Sequence, residues 1–206
     1  MKPLDRRLQN WRIDKARPFI APGSAVLDIG AADGALFRRL GDRIGRGVGI
    51  DPDAPEGPAA NDGRFRFIRG RFPDDLDPVE QFDVVTAMAF FEHVPDAQRH
   101  SVAAACFRAI KPGGLCILTV PSAAVDTILD VLIRLRIVDG MHEEEHHGFD
   151  AARTPEIFQS AGFTLHTRRR FQMTVNNLFV FSRPSAHIDV LVEAEDRQEE
   201  AAQHDP

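Results

Sequence analysis

Val26-Leu27-Asp28-Ile29-Gly30-Ala31-Ala32-Asp33-Gly34 is the stretch on which the reading of the fold turns. An apolar run of the kind buried in a parallel sheet brings the chain to a tight turn. A helical pattern from Ala35 to about Leu40 opens directly behind it. Gly30 lets the backbone come close to a ligand, and Gly34 allows close packing where the helix starts. The carboxyl edge of an open α/β sheet is where ligands bind. A dinucleotide fingerprint requires glycines in the pattern G-x-G-x-x-G, but the second and third positions here are Ala32 and Ala35. What stands at the turn instead is an acid, Asp28, two residues before the first glycine. A carboxylate there suits a ligand with a cationic amino group.

Working outward, apolar clusters alternate between strand-like and helix-like runs, which predicts a parallel α/β sheet. Strands are predicted at 25–29, 47–50, 65–68, 82–86 and 115–120. A helix is predicted over Leu4 to Ile20, with Leu8, Trp11 and Ala16 turned to the body, and it is placed as a lid over the sheet edge. Another spans Asp96 to Ile110, with Asp96 as its N-cap and Lys111-Pro112-Gly113-Gly114 as stop and turn. Between strands two and three, Pro55, Gly57, Pro58 and Gly63 argue against a regular helix, so that crossover is predicted to be irregular. Residues 125–138 read as an amphipathic helix that either packs on the sheet, lines a pocket or meets a second copy of the chain. A short helix begins near Thr154, and 163–171 with 173–182 are predicted to form an antiparallel hairpin. The chain thus divides into a lid helix (1–23), one domain (24–183) and an acidic tail (184–206) predicted to be mostly disordered.

The second acid of interest is Asp51, at the end of strand two, with Pro52 beside it. A carboxylate at that edge can accept both hydroxyls of a ribose. An acid at a strand end also serves as a cap or turn residue, and the upstream turn is what favours the ribose role.

Four stretches, in order, resemble the class I S-adenosylmethionine-dependent methyltransferases, the small-molecule group that includes ubiquinone-biosynthesis enzymes. They are Leu27 to Gly34; Gly49-Ile50-Asp51; Phe82-Asp83-Val84-Val85 running on to Phe91-Glu92-His93-Val94; and Lys111-Pro112-Gly113-Gly114 before Leu115. The resemblance covers 24–182. It implies a Rossmann-like, doubly wound, mostly parallel seven-stranded sheet with an antiparallel last strand, and S-adenosylmethionine as cofactor. It places Gly30, Ala31, Ala32, Asp33 and Gly34 at the methionine part of that cofactor and Asp51 at its ribose. Ala87 and Met88 are implied to contact it through backbone. Arg71 and Phe72 occupy positions where the family often has an acid and a small residue beside adenine. Arg71 cannot accept from an amino group, which leaves Asp74 or Asp75 for that part.

Methyl transfer from a sulfonium needs alignment and exclusion of water more than covalent help. A base is required only where the acceptor holds its proton at neutral pH. The candidates are His93, beyond strand four, and His142, His146 and His147 in the polar loop after strand five. Each is weighed against a capping or surface role. The His/Glu loop 142–149 is also weighed as a divalent-metal site, but its spacing matches no specific metal motif, so no metal is expected.

Composition narrows the partners. The net charge of −6 resides in the tail after Pro184, which carries seven acids against Arg197 alone. The remainder is near neutral, and Arg168-Arg169-Arg170 is the one dense basic cluster, so nucleic acid is not favoured. No apolar run reaches the roughly 20 residues of a membrane helix, no signal peptide is evident, and Cys106 and Cys116 lie in apolar segments. A cytoplasmic enzyme acting on a small molecule is therefore expected, with no membrane partner. The competing readings are a non-catalytic S-adenosylmethionine-binding subunit and a nicotinamide-dependent oxidoreductase.

Overall fold

The computed structural model describes residues 3–56, 61, 63–122, 149–172 and 175–185. The element order is α1 (Pro3–Ala16), β1 (Ser24–Ile29), α2 (Ala35–Leu40), β2 (Ile44–Asp51), β3 (Phe65–Arg69), β4 (Phe82–Met88), α3 (Asp96–Ala109), β5 (Ile110–Pro121), α4 (Thr154–Ser160), β6 (Thr164–Phe171) and β7 (Asn176–Ser182). The seven strands lie in the order β3-β2-β1-β4-β5-β7-β6. β7 runs antiparallel to both of its neighbours, and the pairs from β3 across to β5 are parallel. This is the doubly wound α/β class expected from the sequence. The order of winding reverses between β1 and β4, so a crevice opens at the carboxyl ends of those two strands.

Both faces of β1 are covered, which is why it has no polar side apart from Ser24 and Asp28. Ala25, Leu27 and Ile29 join one core with Val102 and Cys106 of α3 and Phe158 of α4, while Val26 joins a second core with Ile13 of α1 and Leu36 of α2. The same alternation divides β7, whose Phe179 and Phe181 face the first core and whose Leu178 and Val180 face the second. Phe158 stacks on Phe181 at 4.7 Å and meets Phe91 edge-on at 5.1 Å. Cys106 and Cys116 are buried free thiols within the first core.

Asp83 clamps the amino end of the sheet, accepting from the Ala25 N–H and from Lys111 Nζ, each at 2.7 Å. Its partial burial works against the charge. The Lys111 and Ala25 bonds outweigh that and lower the carboxyl below its usual range.

Several boundaries differ from the sequence reading. α1 ends at Ala16 and continues only as a 3₁₀ turn over Arg17–Phe19, because Pro18 has no N–H for the helical ladder. Trp11 is 43% exposed, and Ile13 takes the buried position instead. Asp96 is the first residue of α3 rather than its N-cap, and its carboxylate goes to Arg99 at 2.8 Å. The stop at Lys111 to Gly114 is absorbed into β5, which starts at Ile110 opposite Phe82 and passes a register shift before Leu115 pairs with Val84. Between β2 and β3 no helix is present among the described residues. The expected helix 125–138, the loop 142–148 and the tail from 186 onward lie outside the described residues.

Gly49 decides how closely the site turn can sit against β2. A Cβ there would meet the Ala31 Cβ and the Phe67 ring, each at 2.8 Å. Gly49→Ala is accordingly expected to lose about 1–3 kcal/mol by overpacking, read as a lower urea midpoint at unchanged m-value.

Candidate functional site

The crevice at the carboxyl ends of β1, β2 and β4 is a cavity of about 380 Å³. Its floor is Asp28 and the following turn, Gly30-Ala31-Ala32, with Asp51 beside it at the end of β2. Met88, Ala89 and Phe90 wall it from the end of β4, and His93 lies a few residues beyond. Ala35 and Leu36 close it from α2, and Gln9, Arg12 and Ile13 of α1 cover it.

The turn is pinned by its backbone. The Ile50 carbonyl accepts from the N–H groups of Gly30 at 2.9 Å and Ala31 at 3.3 Å, and the Ala31 carbonyl accepts from Gly34 N–H at 2.7 Å. Gly30, Ala32 and Gly34 have φ of 76°, 41° and 75°. Alternate residues in left-handed geometry fold the chain back before α2 begins. Ala32 takes this conformation without being glycine, as does Ala89, at φ 57°, across the cavity. The Ala89 N–H is held by the carbonyl and hydroxyl of Thr119 at 2.9 and 3.1 Å.

Asp28 is 4% exposed. Thr86 lies directly opposite it across the β1–β4 pair and donates its hydroxyl to Asp28 Oδ1 at 2.7 Å. Burial pushes the Asp28 carboxyl up to about 7; the Thr86 bond opposes this, and the charges of Asp51 and Asp33 add to it. Asp51 is better solvated, and its Oδ1 accepts the Asp53 N–H at 2.7 Å, which orients the carboxylate at the strand end.

Glu92 is the second buried acid. Burial raises it to about 7, with its own backbone N–H and the positive charge of Arg12 pulling the other way. Arg12 itself is lowered by burial, and Glu92 works to raise it. Arg12 Nε and Glu92 Oε2 are buried without a hydrogen-bond partner among the described residues.

The structure thus gathers Asp28, Gly30, Ala31, Ala32, Asp51, Met88 and His93 from the sequence-derived set around one cavity. Others stand apart from its lining. Ala87 is buried in β4 one residue before the wall begins. Asp33 is paired with Arg38 at 2.6 Å on the outside of the turn, and Gly34 sits beneath the Phe67 ring. The Pro52 carbonyl accepts from Arg69 Nε at 3.1 Å. Arg71 is exposed, with its N–H on Asp75 Oδ2 at 2.7 Å, and Phe72 and Asp74 line a separate cavity beside α3. His142, His146 and His147 lie outside the described residues. Among the described residues no group of three or more His, Cys, Asp or Glu side chains is placed to hold a metal, and no helix is long and apolar enough to cross a membrane.

Residues 4–168 match the family described as Methyltransferase domain. The chain belongs to the class I S-adenosylmethionine-dependent methyltransferases. It is 30% identical over 158 residues to the ubiquinone biosynthesis O-methyltransferase of Psychrobacter arcticus, covering 69% of this chain and 60% of that protein. It is 40% identical over 100 residues to the Pseudomonas fluorescens protein of the same name, covering 45% of this chain and 42% of the other. The chain therefore spans roughly half the length of these relatives. Two solved structures share the fold. The cyclopropane synthase MmaA2 of Mycobacterium tuberculosis superposes with a TM-score of 0.61 at 16% identity, over 84% of this chain and 83% of that one. The N-methyltransferase NodS of Bradyrhizobium japonicum does so with a TM-score of 0.57 at 18% identity, over 89% and 98%.

The residues of this chain fit the family's cofactor, S-adenosylmethionine. A desolvated carboxylate at Asp28 is relieved by a cationic amino group. The unpartnered Arg12 Nε offers a donor to an anionic one, and Asp51 presents acceptors for a diol. Sequence reasoning did not single out Thr86, Gln9 or Phe90. Thr86 carried no local signal, since only the pairing of β4 with β1 places it opposite Asp28.

The two raised acids set a pH dependence. Their folded pKa values, about 7, lie above those of unfolded carboxyls near 4. The folded state therefore holds more protons across that window, and the stability they contribute is full below pH 4 and lost as pH rises through 7. Asp28→Asn is expected to match the native protein near pH 4 and to be the more stable of the two above pH 7, measured as Tm across that range without ligand.

Proposed function

We propose that this chain transfers the methyl group of S-adenosylmethionine to an oxygen of a small organic acceptor. The observation that carries the reading is the polarity of the cavity: two acids on its floor, Asp28 and Asp51, and a half-buried cation, Arg12, in its cover. That arrangement suits a zwitterionic amino acid joined to a nucleoside. A nicotinamide dinucleotide brings a pyrophosphate, which the buried Asp28 at the turn would repel.

When bound, S-adenosylmethionine supplies a methyl group already activated by its sulfonium. The chain's own part is then to bind, to orient and to keep water out. Asp28, held by Thr86, accepts from the amino group, Arg12 faces the carboxylate, and Asp51 accepts from the ribose hydroxyls. Ile13, Leu36, Met88 and Phe90 provide the apolar wall that lowers the local dielectric. His93, at the cavity margin, is the described base candidate for taking a proton from an acceptor hydroxyl. The loop histidines 142, 146 and 147 are the others. The names of the ubiquinone-biosynthesis relatives support oxygen as the atom methylated. A cavity covered by α1 supports a small acceptor over a polymer.

Calorimetric titration tests the cofactor assignment. Native protein is expected to bind S-adenosylmethionine saturably and to ignore NADH and NADPH, and Asp51→Ala to weaken binding at least tenfold, about 1.4 kcal/mol. Binding of a nicotinamide cofactor in its place would overturn the assignment. With a panel of phenolic and enolic acceptors, His93→Ala is expected to lower kcat by about 10²–10⁴ while leaving the cofactor Kd unchanged.

A further inference from the structure

Gln172, the residue that follows β6, has a left-handed backbone with φ 52°. A Cβ makes that conformation unfavourable, and glycine would fit the turn without strain. Its side chain is nevertheless retained and buried, at 3% exposure. Gln172 Nε2 donates to the Leu8 carbonyl of α1 at 3.2 Å, and its Oε1 accepts from Nδ2 of Asn176, the first residue of β7. Asn176 is itself buried. Alongside, Phe171 meets Trp11 of α1 edge-on at 6.4 Å. Leu8 lies one helical turn before Arg12, so the carbonyl held by Gln172 belongs to the same ridge of α1 that carries Arg12 over the cavity.

We infer that Gln172 and Asn176 are positioning residues for the cofactor. They tether α1 to the β6–β7 turn and so hold Gln9, Arg12 and Ile13 at the height where the cavity is closed. The inference rests on the S-adenosylmethionine reading of that cavity. Strain maintained at a buried polar residue marks a place where the surrounding structure uses the side chain. The use here is pre-organisation: a cover already docked loses less freedom when ligand binds. Towards its carboxyl end α1 packs through Ile13 and Ala16 and pairs Asp14 with Arg39 of α2 at 2.6 Å, whereas the Gln172 bond and the Trp11–Phe171 contact fasten the part that overhangs the site.

The test uses the full chain, S-adenosylmethionine as probe, and the single tryptophan, Trp11, as reporter on α1. Gln172→Gly removes the tether and relieves the strained backbone, so its urea midpoint should equal or exceed the native value. Its Kd for S-adenosylmethionine should nonetheless rise about tenfold, and Trp11 in the free protein should become more accessible to acrylamide quenching. Gln172→Met preserves length but has no donor for the Leu8 carbonyl, and Asn176→Ala removes the second link without touching the strained residue. Both should shift Kd and quenching in the same direction. Variants that bind within twofold of native, or that leave Trp11 quenching unchanged, overturn the tether while the cofactor assignment stands. Native protein that fails to bind S-adenosylmethionine overturns both.

Discussion

A carboxylate taken out of water at the switch point of the sheet is the constraint around which this protein is organised. Asp28 has one hydroxyl, that of Thr86, to offset its burial. Both residues stand at the carboxyl ends of the two central strands, where the winding of the sheet reverses. A buried acid with so little compensation is costly in an empty cleft and well matched to a cationic ligand group. The close packing of Ala31 against the β2 backbone, which Gly49 permits, and the left-handed turn at Gly30 to Gly34 serve to bring ligand-facing backbone down onto that carboxylate.

The cover of the cleft repeats the device with the opposite sign. Half-buried Arg12 and buried Glu92 each shift the other's charge equilibrium, while an Nε and an Oε2 have no partner among the described residues. Polar groups are therefore incompletely satisfied among the described residues, both on the floor and in the cover. Of the pair only Arg12 lines the cavity, so the cleft presents a cation in its cover opposite the acids of its floor. The aromatic core beneath α3 and α4, built on Phe158, Phe163 and Phe181, gives the sheet a rigid backing on the face away from α1.

Much of the fold was legible because it rests on local patterns. β1 is an apolar run ended by glycine, α3 is an alanine-rich segment ended near Pro112-Gly113, and the β6–β7 hairpin follows from two apolar-patterned runs joined by a short turn. Boundaries were less legible where distant contacts decide them. β5 starts at Ile110 because Phe82 offers it a partner before the Lys111 to Gly114 stretch, and Asp96 gives up a capping role because Arg99 takes its carboxylate. In the site, Asp28, the Gly30 turn and Asp51 were readable from spacing. Thr86 was not, because its role depends on the register of β4 against β1. Arg71 and Phe72 illustrate the reverse case: their sequence position suggested a place beside the cofactor, and the chain carries them outside the cavity lining.

The sequence by itself determined an α/β sheet, its closing antiparallel hairpin and the acids at two strand ends, since hydrophobic period and turn residues are local properties of the chain. The sheet's doubly wound order was implied by the family resemblance of the motifs. Tertiary structure alone decided that Asp28 is desolvated against Thr86 and that Arg12 comes under the charge of Glu92. It also decided that Gln172 reaches Leu8 across 164 residues of chain. Those features arise from which strands become neighbours and how closely a helix settles on them, and packing of that kind is a property of the assembled molecule rather than of any one segment.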